Sequence, residues 1–209
     1  MKTPKRFVVG LTGGIGTGKS SALTAFERLG AATVCLDQIA REQAKPGQDG
    51  YKAIVKAFGS CILKDDKTIN RALLGRVIFN DKRAKLGLER VTHPLILKEM
   101  RELIGRLKGL VVVDVPLLFE KNLQKHFDAT FLISCKPQKQ LQRIMNRDGW
   151  DSREARLRIK AQFPLDQKRK LADVTIDNDN DIIHLNKEVN AYHEGLTLLL
   201  GGLSHGNAG

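Results

Sequence analysis

The stretch VVGLTGGIGTGKSSALTAF, residues 8–26, passes from an apolar run through a crowd of glycines into a segment with helical spacing. Each glycine gives up conformational entropy on folding, so the crowding calls for a compensating use. Gly13-Gly14-Ile15-Gly16-Thr17-Gly18-Lys19-Ser20 satisfies G-x-x-x-x-G-K-[ST], the phosphate-binding loop. In such a loop, glycines let successive N–H groups turn around a phosphate, and the following helix adds its partial positive charge. Lys19 then reaches the β- and γ-phosphates, and the Ser20 hydroxyl ligates Mg²⁺. Gly14, Gly16, Thr17, Gly18, Lys19, Ser20 and Ser21 are the candidate nucleotide-binding residues. The dinucleotide pattern G-x-G-x-x-G fails here, because it meets Lys19 or Ser21 where its third glycine belongs.

Outward from the loop, Phe7–Leu11 reads as a buried strand and Lys19–Leu29 as a helix closed by Gly30. Thr33–Leu36 reads as a second strand, followed by a helix over Gln38–Ala44 and a break at Pro46-Gly47. Strand, helix, strand predicts a βαβ unit and a parallel sheet. From Asp49 to Lys108 the apolar spacing is helical, with GSCILKDDK as a loop, so this stretch is a helical insertion. Strands return at Leu110–Val115 and Phe131–Cys135, and Pro137 opens a helix whose apolar face is Leu141, Ile144 and Met145. A basic helical region over Ser152–Leu171, broken near Pro164, leads to a brief strand at Val174–Ile176. An amphipathic helix over Ile182–Leu200 follows, and the tail GGLSHGNAG reads as frayed. The fold class expected is α/β, with three α/β/α layers around a parallel sheet.

The 209 residues carry a formal charge of +12. Between Lys136 and Lys170 stand 11 Lys and Arg against 4 Asp and Glu, a net +7, so over half the excess is concentrated there. A solvated helical face accounts for such a run, and so does a basic flap over an anionic site. The three cysteines are scattered with no C-x-x-C pair, which speaks against a disulfide framework or a zinc site and for a reduced, cytoplasmic setting. The sequence predicts no secretory leader and no membrane span. A guanine-reading N-K-x-D element is missing, since Asn186-Lys187 continues as Glu188-Val189. A small-molecule kinase with a substrate-binding insert and a lid fits better.

Several carboxylates and cations are candidates. Asp37 follows the second strand and would face the loop if the first two strands are neighbours; an N-cap for the next helix is the other reading. Asp114 ends an apolar strand, where an isolated carboxylate is costly, and is expected to hold magnesium through water. Glu120 does similar work or faces solvent. Arg143 and Arg147, four apart on one helix, suit transferring phosphates. Arg153, Arg156 and Lys160 read as a solvated face, and Trp150 as a packing residue. His93-Pro94 reads as a helix start with proline in the first turn, or as an exposed binding histidine.

The order of these elements closely resembles the dephospho-coenzyme A kinases to about Asn190. The matching pieces are GLTGGIGTGKS, VCLDQIAR with KPG, INRALLGRVIF, ERVTHPLI, VDVPLLFE, QLQRIMNRD with RIKAQ, and KLADVTIDN. The resemblance implies transfer of the γ-phosphoryl of ATP, with Mg²⁺, to the ribose 3′-hydroxyl of dephospho-coenzyme A, the last step of coenzyme A synthesis. It implies a core of residues 1–37, 109–141 and 172–200, a substrate domain of 38–108, a lid of 142–171 and a flexible tail of 201–209. Asp37 matches the family's proposed base, with Lys19 and Arg147 as further catalytic residues. Thr12, Arg71, His93, Pro116 and Leu117 are the implied substrate-binding residues besides Asp37, and Arg143 and Arg147 the lid cations on the phosphates. No nucleic acid or membrane partner is implied. One departure stands out: Cys35-Leu36-Asp37 replaces the family's common Asp-Ala-Asp. The rival expectations are a kinase of another nucleoside or nucleotide, and a basic ATP-switched nucleic-acid binder, against which stands an aromatic content of only 5%.

Overall fold

A computed structural model describes residues 6–205. In chain order its elements are β1 (Arg6–Gly13), α1 (Lys19–Arg28), β2 (Ala32–Cys35), α2 (Leu36–Gln43), α3 (Asp49–Phe58), α4 (Arg71–Asn80), α5 (Lys82–Arg106), β3 (Gly109–Asp114), β4 (Ala129–Ser134), α6 (Pro137–Asp148), α7 (Ser152–Lys160), α8 (Leu165–Leu171), β5 (Val174–Asp177) and α9 (Ile182–His205). The chain divides into two compact units, one ending at Val34 and resuming at Leu107, the other comprising Cys35–Arg106.

The first unit is built on one sheet in the order β2-β3-β1-β4-β5. Strand β1 pairs in parallel with β3 on one side and β4 on the other, setting Leu11 opposite Asp114 and Gly13 opposite Ile133. Strand β4 pairs in parallel with β5, and Ser134 stands opposite Asp177. The continuous apolar run Leu110–Val113 is buried throughout, as a strand covered on both faces requires. On one face Val9, Leu11, Phe131 and Ile133 meet Phe26 of α1 and Leu185 and Val189 of α9. Phe131 makes edge contacts with Phe26 at 6.2 Å and Tyr192 at 5.3 Å between ring centroids. Helix α8 packs on β4. The result is the expected α/β layering around a parallel sheet.

Strand order corrects one expectation. β1 and β2 are not neighbours, because β3 lies between them. The argument that Asp37 faces the loop through adjacent strands therefore lapses. Because the chain leaves β1 toward β2 but crosses from β3 to β4 over β1, the carboxyl end of β1 is the switch point where α/β sheets bind ligands.

The second unit is helical, with Ile54, Ile62, Ile69 and Leu74 as its centre. The stretch expected as a plain loop holds a 3₁₀ turn over Ser60–Ile62 and a bridge between Leu63 and Ile69. Pro94 does not start a helix; it lies inside the 25-residue α5. It lacks the N–H that would bond back to Arg90, a local loss the long helix absorbs. Helix α9 also runs past Leu200 to His205, longer than the frayed-tail reading; residues 206–209 lie outside the described part.

Candidate active site

The loop between β1 and α1 owes its glycines to two demands. Gly16 and Gly18 have φ of +77° and +92°, the left-handed region that side chains disfavour. A Cβ on Gly16 would also come within 2.6 Å of Ile144 Cγ1, and one on Gly18 would run into Asn178 Nδ2. The loop is packed against side chains from α6 and from the end of β5, so close approach matters as much as the turn.

Those side chains also hold its peptides. Thr17 Oγ1 donates to the carbonyl of Gly14 at 2.9 Å, Gln140 Nε2 to that of Ile15 at 2.8 Å, and Asn178 Nδ2 to that of Thr17 at 2.8 Å. In a planar trans peptide the N–H points opposite to the carbonyl. Gln140 thus turns the Gly16 N–H away from itself, and Asn178 does the same for Gly18, whose residue caps the N-terminus of α1. Donors oriented in advance need no reorganisation when an anion arrives.

The loop forms one wall of a cleft of about 920 Å³, lined also by Ser20, Ser21, Pro116, Arg143, Asn146, Arg147, Gln162 and Asn178. Such a volume suits a nucleotide-sized ligand. The Lys19 ammonium is hydrogen-bonded to Asp114 Oδ1, at the buried end of β3. Arg143 lines the cleft, and its Nη1 is buried without a hydrogen-bond partner. Arg147 instead lays its guanidinium on Asp148, with bonds of 2.9 and 2.8 Å. That fork raises the Arg147 pKa and holds the Asp148 carboxyl below the ordinary carboxylate range. Burial pushes the Cys135 thiol up, with neighbouring Arg143 pulling the other way.

Gly14, Gly16, Gly18, Lys19, Ser20, Ser21, Arg143 and Arg147, named from the sequence as nucleotide-binding candidates, line one cleft together with Pro116, an acceptor candidate. Thr17 is buried, its hydroxyl spent within the loop, and Thr12 is buried with its hydroxyl on the carbonyl of Pro116 at 3.3 Å. Leu117 is partly exposed outside the lining. Glu120 does not face solvent: it pairs with the wholly buried Lys168 at 2.8 Å and accepts from Phe163 N at 3.0 Å. Trp150 carries the Arg158 guanidinium 5.1 Å from its ring centroid, while Arg153, Arg156 and Lys160 are exposed as expected.

Asp37, Arg71 and His93 belong to the helical unit. Asp37 is not an N-cap, because Cys35 occupies that position; Asp37 is an exposed residue in the first turn of α2. Arg71 begins α4 and lines a pocket of about 290 Å³ with Lys45, Pro46, Lys64, Thr68 and Asn70. His93 is half-buried within α5. Sequence reasoning missed Gln140, Gln162, Asn178 and Lys168 as individual residues. All but Lys168 lie inside the quoted elements QLQRIMNRD, RIKAQ and KLADVTIDN, so the signal was present but unassigned.

Comparison with known proteins bears on what this cleft serves. The family model described as dephospho-CoA kinase matches residues 7–184. A dephospho-CoA kinase of Carboxydothermus hydrogenoformans is 41% identical over 179 residues, covering 84% of this chain and 87% of that one. The solved structure of the dephospho-CoA kinase from Campylobacter jejuni superposes with a TM-score of 0.68 at 28% identity, covering 92% of this chain and 98% of its own. A shikimate kinase from Bacteroides thetaiotaomicron shares the fold alone, with a TM-score of 0.52 at 18% identity over 91% of this chain and 98% of that one.

Proposed function

The chain belongs to the dephospho-CoA kinase family, and from that membership and the cationic cleft we infer that it transfers the γ-phosphoryl of ATP to the ribose 3′-hydroxyl of dephospho-coenzyme A. The products are coenzyme A and ADP. The observation that carries this reading is the phosphate loop with its peptides already oriented, in a cleft lined by Lys19, Arg143 and Arg147. Phosphoryl transfer needs little beyond positioning and charge stabilisation, and those residues supply both.

Lys19 leaves Asp114 for the β- and γ-phosphates as nucleotide enters, and Arg143, with an unpartnered buried N–H, takes the transferring phosphoryl oxygens. Arg147 joins it by releasing Asp148. Exposed Ser20 and, through water, Asp114 are the residues that would hold Mg²⁺, which would supply positive charge to the transferring phosphates. No group of three or more His, Cys, Asp or Glu side chains suited to a metal occurs among the described residues.

Asp37 acts as the base that orients and deprotonates the 3′-hydroxyl, with Thr12, Arg71, His93, Pro116 and Leu117 serving the acceptor. Residues 142–171 form the lid and 38–108 the acceptor domain; lid closure keeps water from the phosphoryl group. The setting is cytoplasmic, in keeping with three cysteines that form no disulfide, and no helix among the described residues is long and apolar enough to cross a membrane.

The test is ADP release with ATP and Mg²⁺, comparing dephospho-coenzyme A with adenosine, AMP and no acceptor. Strong stimulation by dephospho-coenzyme A alone is expected. Stimulation by another acceptor instead would keep the kinase and overturn its substrate.

A further inference from the structure

The Ile15 peptides of the phosphate loop are gripped from both sides. Its carbonyl takes the Gln140 donor, and its N–H donates to Gln162 Oε1 at 2.9 Å. Gln162 comes from the turn between α7 and α8, far along the chain, and lines the cleft. Its position is itself enforced. The next residue, Phe163, donates its N–H to Glu120 at 3.0 Å, and Glu120 pairs with Lys168, which also reaches the carbonyl of Pro116 at 3.4 Å.

Lys168 is 0% exposed, and the second Glu120 oxygen is buried without a partner. A buried ion pair of this kind is a poor source of net stability, since apolar residues of similar volume would serve as well. What it supplies is direction: one carboxylate fixes both the start of α8 and the backbone beside Gln162. The Ile15 N–H is thereby held on the α7–α8 turn, while the opposite end of that peptide, the Gly14 carbonyl, is held by Thr17.

We propose that Gln162 is a positioning residue for nucleotide binding, tying the shape of the phosphate loop to a latch made by Glu120 and Lys168. The inference rests on the reading of the cleft as an ATP site. It makes nucleotide affinity depend on two residues that do not touch the nucleotide, Glu120 and Lys168, acting through one that touches the loop.

The test titrates the full chain with Mg²⁺ and a non-hydrolysable ATP analogue in parent, Gln162→Met, Glu120→Gln and the double variant, alongside KM for each substrate. Gln162→Met removes the acceptor for Ile15 N–H and is expected to weaken analogue binding about fivefold to tenfold, the scale of one hydrogen bond. The KM for the phosphoryl acceptor should stay within about twofold. Glu120→Gln should weaken binding in the parent background and add nothing once Gln162 is gone. Hydrogen exchange at the Ile15 amide should quicken in Gln162→Met and stay slow in Gln162→Glu, which keeps an acceptor oxygen. Unchanged analogue affinity in Gln162→Met overturns the proposal, as does a Glu120→Gln effect of full size in the double variant. Binding of the analogue requires no acceptor, so a parent that binds it without phosphorylating dephospho-coenzyme A would sink the functional reading and leave this test standing.

Discussion

Asn178 and Thr17 stand 161 positions apart and are joined by a 2.8 Å hydrogen bond from the Asn178 side-chain amide to the Thr17 carbonyl. The bond fastens the phosphate loop to the residue just beyond β5, so the last strand of the sheet helps set the direction of an N–H in the first turn of the site. Asn178→Asp keeps the size but replaces the donor with a carboxylate facing the Thr17 carbonyl. We expect nucleotide affinity to fall at least about tenfold and stability by about 1–3 kcal/mol, the cost of an unsatisfied buried group. Nucleotide titration and denaturant unfolding measure the two effects, and unchanged values in both would remove Asn178 from the loop's support.

Arg143 and Arg147 share a helix face but not a state. Arg143 has a buried N–H with no partner, whereas Arg147 is forked on Asp148 and largely exposed. Replacing Arg143 by Met should lower kcat/KM about 100-fold or more, in the range seen when a preorganised donor to developing charge is lost. Arg147→Met should cost less, because part of its interaction must first be withdrawn from Asp148. Steady-state kinetics on the two variants decides the order; a larger loss at Arg147 would reverse the assignment.

How much of this was legible beforehand follows from how local each signal is. The glycines, Lys19 and Ser20 sit within eight residues and carry their meaning together, and the buried run before Asp114 needs no distant partner to read as a strand. Strand order is another matter: nothing in β1 or β2 says that β3 will come between them, because that insertion is set by packing across more than 70 residues of helical chain. Pro94 misled because a proline inside a helix costs roughly 3 kcal/mol, which makes a helix start the ordinary reading, yet it lies inside the 25-residue α5. Gln140, Gln162, Asn178 and Lys168 are ordinary polar residues until the fold brings each to a carbonyl, an N–H or a carboxylate far away in sequence.

Cys35 occupies the N-cap of α2 in extended conformation, φ −110° and ψ 117°, and makes no side-chain cap hydrogen bond. An aspartate there can accept from an N–H in the first turn, so Cys35→Asp should stabilise the protein by about 0.5–1 kcal/mol. It also sets a second carboxylate two residues from Asp37, as in the Asp-Ala-Asp pattern apart from Leu36. Thermal unfolding together with turnover separates the two consequences. Higher stability with unchanged rate would make the first aspartate a helix cap rather than part of the chemistry.

Arg169 holds Asp177 with bonds of 3.1 and 2.6 Å and reaches Ser134 Oγ at 3.1 Å, joining α8 to β5. The Arg169 hydrogen bond lowers the Asp177 pKa against a smaller opposing effect of burial. A carboxyl whose folded pKa is depressed adds stability above its unfolded pKa, near 4, and loses it as pH falls through the folded value. Both side chains are about half exposed, so the contribution is at most about 1 kcal/mol. Asp177→Asn should therefore be slightly less stable than the parent by a constant amount from about pH 7 to pH 5, with the gap closing below about pH 4. A gap that instead widens on acidification would show that Asp177 stabilises the fold in its protonated form.

Asp37 is exposed in the first turn of α2. An accessible carboxylate is what a base for a ribose hydroxyl requires, and asparagine keeps its size while abolishing proton acceptance. If Asp37 deprotonates the 3′-hydroxyl, Asp37→Asn should cut kcat about 100- to 10,000-fold. Affinity for the ATP analogue should remain within about twofold, because the substitution leaves the loop, Lys19, Arg143 and Arg147 unchanged. ADP release with dephospho-coenzyme A, run beside an analogue titration, gives both numbers. Turnover near the parental rate would remove Asp37 as the base, while equal losses in turnover and nucleotide affinity would mean that it shapes the nucleotide site instead.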